Sequence, residues 1–184
     1  MTAILALDLS KRSSGYAVWK DGSPNPIHGL WVLGSEFTTD GQTYCKLHQN
    51  LSDLRQLVRF EHVFYEQPLR PEVLTGHTNV DTLRVLAGLA AHAESFAAAL
   101  GCRSIQAVHQ ASWRKHFIGR MPRGTKTKAW KDYAMERCRQ YGWKPRRDDE
   151  ADALGLLDYG CELKGIVPPW RTDEVLRPML GVRA

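Results

Sequence analysis

At 184 residues the chain suits a single domain, and a hydrophobic share of 43% is enough for a packed core, which excludes wholesale disorder. The net charge of +5 is unevenly spread: residues 103–147 carry thirteen Lys or Arg against two acids, Asp132 and Glu136. A basic stretch this concentrated points to a polyanionic partner, a solvated helical face being the ordinary alternative.

The first residues, Met1-Thr2-Ala3-Ile4-Leu5, run straight into a strand pattern without the features of a signal peptide, so a cytoplasmic protein is expected. Residues 3–9 read as a buried strand, 15–20 as a second, and 30–37 as a third, with a strong turn at Asp21-Gly22-Ser23-Pro24. Residues 42–60 repeat Tyr44, Leu47, Leu51, Leu54 and Leu57 or Val58 at three- and four-residue intervals, which predicts a helix. A short strand over 62–66 is stopped by Pro68. A helix over 80–100 follows, with Thr78 and Asp81 at capping-box spacing and Gly101 as its stop. Arg84, His92 and Glu94 interrupt the apolar run of this helix, so it is read as packed rather than membrane-spanning.

Residues 103–108 form another strand and 119–127 a basic loop. Helices follow over 127–141, with Ala129, Trp130, Tyr133, Ala134 and Cys138 on one side, and over 149–163. The order βββ-α-β-α-β-α-α implies an α/β fold. Its five-stranded mixed sheet has three antiparallel strands, then parallel ones, with helices on both faces. The domain is expected to end at 163, with an irregular tail over 164–184. Cys45, Cys102, Cys138 and Cys161 contain no C-x-x-C pair and are read as reduced.

Four carboxylates stand out. Asp8 ends an otherwise apolar strand, and Glu66 ends the strand Val63-Phe64-Tyr65. Asp149 and Asp152 share one face of the last helix by their i, i+3 spacing. Singly, each has an ordinary reading. Asp8 would open a turn with Ser10, Glu66 would pair with an arginine, and Asp148 or Asp149 would cap a helix. Asp152, among Ala151, Ala153, Leu154 and Leu156, is the hardest to explain so.

If the first and fourth strands are neighbours, their ends bring Asp8 and Glu66 close and the last helix can present Asp149 and Asp152 to the same spot, a cluster that needs cations or protons. Unit like charges at 4 Å repel by roughly 4 kcal/mol at an effective dielectric near 20. An all-oxygen set favours Mg²⁺ or Mn²⁺ over zinc, and two such ions suit phosphodiester hydrolysis.

In this order and spacing, Ile4-Leu5-Ala6-Leu7-Asp8, Ser14-Gly15-Tyr16-Ala17-Val18, Tyr65-Glu66-Gln67 and Asp149-Glu150-Ala151-Asp152-Ala153-Leu154 resemble the RuvC-type Holliday-junction resolvases of the RNase H-like superfamily. The resemblance covers about residues 3–160. It implies a crossover-junction endodeoxyribonuclease with Asp8, Glu66, Asp149 and Asp152 as catalytic metal ligands. It also implies a homodimer paired through the 80–100 helix, and a basic segment over 119–128 that meets branched DNA. Lys126 and Lys128 are the leading DNA-binding candidates there, supported by Arg114, Lys115, Arg120 and Arg123.

Two departures mark a divergent, phage-type member. Asp8-Leu9-Ser10 replaces the family's Asp-Pro-Gly, and Leu69 stands where bacterial members carry an aromatic wedge. Leucine stacks poorly on a base, which widens the expected substrates to other branched DNA. An RNase H-type nuclease acting on RNA–DNA hybrids is the alternative enzyme, and a non-cleaving nucleic-acid binder the alternative outside enzymes. An actin-like ATPase would need two such domains.

Overall fold

The computed structural model describes residues 2–68 and 80–172. Five strands, β1 (Ala3–Asp8), β2 (Ser14–Lys20), β3 (Ile27–Trp31), β4 (His62–Glu66) and β5 (Ser104–Val108), form one sheet in the order β3-β2-β1-β4-β5. The first three are antiparallel, and β1, β4 and β5 run parallel. β1 is the central strand, which explains its unbroken apolar run: both of its faces are covered.

Helices α1 (Asp40–Leu57) and α2 (Val80–Ala99) cover one face; α3 (Gln110–Phe117), α4 (Thr127–Gln140), α5 (Asp148–Leu163) and α6 (Pro169–Thr172) belong to the other. The strand period of two sorts the core accordingly. Leu5, Leu7, Val18, Val63 and Tyr65 pack toward α1 and α2. Ile4, Ala6, Ala17, Trp19 and Phe64 pack toward α5. By the same parity Asp8, Gly15 and Glu66 fall on the α5 face.

α1 begins two residues earlier than its apolar repeat suggests, because Thr39 and Gln42 form a reciprocal capping box. Leu57 is 75% exposed while Val58, just past the helix, is 9% exposed, so Val58 completes the buried face. Gly101 ends α2 with φ +68°, and Cys102 N–H returns to Ala97 O at 3.0 Å. Thr78 lies outside the described residues.

β3 departs from the 30–37 expectation. It starts at Ile27, paired with Val18, and stops at Trp31. Beyond it Gly34 N–H bonds Lys11 O at 2.8 Å, and Ser35 N–H bonds the Thr38 side chain, so the chain turns into the α1 cap. α3 was not foreseen. Residues 164–172 also pack into the domain that was expected to end at 163. Trp170 is buried among Trp19 and Trp143, and its indole N–H and Arg171 Nε both donate to buried Asp158 Oδ1, at 2.8 and 2.9 Å. All four cysteines are free thiols. Among the described residues no helix is long and apolar enough to cross a membrane.

Candidate active site

The strand ladder puts the first two carboxylates together. Leu7 pairs with Tyr65 across β1 and β4, so the next residues, Asp8 and Glu66, are neighbours at the same sheet end. α5 delivers the other two. Its N-terminal turn lies directly on Gly15, the cross-strand partner of Asp8: a Cβ at Gly15 would stand 1.9 Å from the Asp149 carbonyl oxygen. Only glycine lets the helix approach this closely. A crevice of about 270 Å³ opens here, lined in part by Asp8, Ser10, Glu66, Gln67, Pro68 and Gln110.

The electrostatics are those of crowded acids. Burial pushes the Asp8 carboxyl well above the usual range, and repulsion from Glu66, Asp152 and Asp149 adds to it, opposed by Arg114. Burial also raises Glu66, against the lowering effects of Trp113, Arg114, Gln110 and Lys131. Asp152, 6% exposed, is pushed up to about 7 by burial even with Arg114 beside it.

Several partners were not legible as such. Glu66 accepts from Gln110 Nε2 at 2.7 Å and Trp113 Nε1 at 2.9 Å. Lys131 pairs with Asp148 and holds its carboxyl low, although burial alone would raise it. Asp148 is thus the first residue of α5 and an ion-pair partner. The N-cap is Arg147, without a side-chain capping bond, so neither Asp148 nor Asp149 caps the helix. Buried Glu150 ties α5 to the sheet, with Oε1 2.6 Å from His28 Nδ1 on β3 and Oε2 accepting from Arg146 N–H at 2.7 Å.

Arg114 does not belong to the exposed basic surface. Grouped with the basic surface by its sequence neighbours, it is buried, with NH2 3.3 Å from Asp152 Oδ2, near the rings of Trp113 and Trp130. It acts on the carboxylates from within. Lys115, Arg120, Arg123, Lys126 and Lys128 are exposed, as a polyanion-facing role requires. Leu69 lies outside the described residues.

Breaking the Arg114–Asp152 pair strands a buried carboxylate, which typically costs about 3–5 kcal/mol. Asp152 can escape that cost by protonating. Arg114→Met is therefore expected to destabilise the protein by about 3 kcal/mol at pH 8.5 and clearly less at pH 5.5, as read by urea melts. An equal loss at both pH values would show that the charge pair is not the cause.

A cation fits this site in its chemistry. The donors are all oxygen, their charges repel, and Asp152 Oδ1 is buried without a hydrogen-bond partner among the described residues. The side chains would have to turn to meet an ion: among the described residues no three His, Cys, Asp or Glu side chains form a ready-made metal cage.

No protein-family model matches the sequence, and no curated protein matches it significantly. Solved structures do. The chain is similar to T. thermophilus RuvC in complex with Holliday junction substrate, with a TM-score of 0.64 and 12% identity over 90% of this chain and 97% of that one. It is also similar to the Thermus thermophilus RuvC structure, with a TM-score of 0.61 and 16% identity over 91% and 99%. The fold is RNase H-like, of the RuvC kind, spanning nearly the whole length of both.

Proposed function

We propose that the chain is a metal-dependent, structure-selective DNA endonuclease that cleaves Holliday junctions or other branched DNA. The observation that carries this reading is the convergence of Asp8, Glu66, Asp149 and Asp152 at one sheet end, with Asp8 repelled by the other three. Asp8, Glu66, Asp149 and Asp152 would hold Mg²⁺ or Mn²⁺, two ions by the family pattern, to activate water and stabilise the leaving oxygen in phosphodiester hydrolysis. The RuvC structure that shares the fold is in complex with a Holliday junction, which supports the branched substrate.

The protein's own groups divide the remaining work. The crevice beside Asp8 and Glu66 admits the scissile strand, and exposed Arg120, Arg123, Lys126 and Lys128 hold the flanking phosphates. Such a surface offsets the repulsion that bare carboxylates would exert on DNA. A homodimer, with two sites for two strands, accords with the outward face of α2, where Val80, Ala87, Ala91 and Ala98 are exposed.

The test is a Mg²⁺ cleavage panel of four-way junction, flap, linear duplex and RNA–DNA hybrid. Branched DNA should be cut best; equal cutting of linear duplex, or preference for the hybrid, would sink the assignment. Lys126→Ala with Lys128→Ala should weaken junction binding and lower the slope of log K against log salt by about 1.8, for two phosphate contacts. The deficit should shrink as salt rises. An unchanged slope would remove both lysines from the DNA path.

A further inference from the structure

Resting on the metal-site reading above, we propose that Gln110 and Trp113 are positioning residues that fix the Glu66 carboxylate for its metal. α3 presents Gln110 and Trp113 at i, i+3 on one face. Gln110 Nε2 donates to Glu66 Oε1 at 2.7 Å, and Trp113 Nε1 donates to Oε2 at 2.9 Å. Among the described residues each oxygen therefore has one donor, and the carboxylate plane is set by two points on one helix. A carboxylate has about four acceptor sites, so the described residues leave about two of them for other partners.

Both donors are neutral, and this matters for the role. A lysine or arginine bonded at the same oxygens would cancel the charge a cation needs. An amide and an indole N–H orient the carboxylate while leaving its charge in place. Trp113 is also fixed from behind. It is 0% exposed, and a Cβ at Gly155 of α5 would stand 2.8 Å from its ring, so α5 leaves the indole no room to slide. The helix that carries Asp149 and Asp152 thereby also seats the residue that aims Glu66.

The test uses the whole protein free of DNA and reads Mn²⁺ binding by calorimetry, with thermal melts in EDTA alongside. Trp113→Phe keeps a ring against Gly155 but loses the donor. Gln110→Met keeps length at an exposed position and also loses its donor. Each should weaken Mn²⁺ binding about tenfold, within the 10- to 100-fold range seen for such partners, and Gln110→Met should melt as the wild type does. Wild-type affinity in both variants overturns the role, whatever happens to stability. If Trp113→Phe fails to fold, Gln110→Met decides alone. A wild-type protein that takes up no Mn²⁺ overturns the metal reading and this role with it, whereas binding by the wild type with unchanged affinity in the variants overturns this role only.

Discussion

Asp8→Asn should all but remove Mg²⁺-dependent cleavage and, in EDTA at pH 8, make the protein more stable. The two effects share one cause. Asp8 sits where burial and three neighbouring acids disfavour its charge. In the unfolded chain it titrates near 3.8, and in the folded chain well above that. Between those values the folded state holds more protons than the unfolded one, so stability falls as pH rises through the window. Asparagine is neutral throughout and removes that slope.

The variant should therefore match the wild type at the acid end and gain about 0.5–2 kcal/mol above the window. For a chain of this size that appears as roughly 2–4 °C in Tm per kcal/mol. Cleavage should fall by on the order of 10³-fold, the counterpart of several kcal/mol of lost transition-state stabilisation. Added Mg²⁺ should raise the wild-type Tm at pH 8 and leave the variant nearly unmoved. Retained cleavage would remove Asp8 from the site, and a lower Tm in EDTA would show that the acids are not in repulsive contact.

Much of this site was readable because strand and helix periods are simple. Asp8 and Glu66 each end an apolar strand, so neighbouring strands would bring their ends together; which face they share came from the structure, where Asp8 follows Ile4 and Ala6 in parity and Glu66 follows Phe64. The i, i+3 spacing did the same for Asp149 and Asp152. What failed to show was set by tertiary context. α3 carries Trp113 and Phe117 among Arg, Lys and His, too short and too polar for a clear helical period. Arg114 and Lys115 are adjacent and chemically alike, yet the turn of α3 buries one against Asp152 and leaves the other in solvent. A charge count cannot separate them, and it hid Lys131, which faces Asp148 from α4. Strand β3 is misplaced in the sequence reading because Val32 and Leu33 extend its apolar look, while the backbone bond from Gly34 to Lys11 that helps shape the turn is long-range.

Gly15→Ala should damage activity severely. In the sequence Gly15 is one residue of a strand pattern; in the structure its missing side chain makes room for the start of α5. Its missing Cβ would lie 1.9 Å from Asp149 O, 2.6 Å from Asp149 C and 3.1 Å from Glu150 N. All three are backbone atoms, so no rotamer change relieves the contact and the start of α5 must retreat. That end is anchored by Glu150 to His28 and by Asp148 to Lys131, so the strain spreads into both ties.

Overpacking of this kind costs about 1–3 kcal/mol. The larger loss is geometric, since Asp149 and Asp152 move away from Asp8 and Glu66, and a displacement near 1 Å can cost on the order of 10²-fold in rate. Gly29→Ala is the matched control: its nearest atoms, 2.8 to 3.0 Å away, are the hydroxyl and outer ring atoms of the Tyr16 side chain, which can move with its stacking partner Trp31 while the backbone stays in place. Gly15→Ala should lose on the order of 10²-fold in cleavage at a Tm only a few degrees lower, with Gly29→Ala close to wild type. Equal activity in the two variants would mean that the close approach of α5 to β2 does not set the positions of the carboxylates.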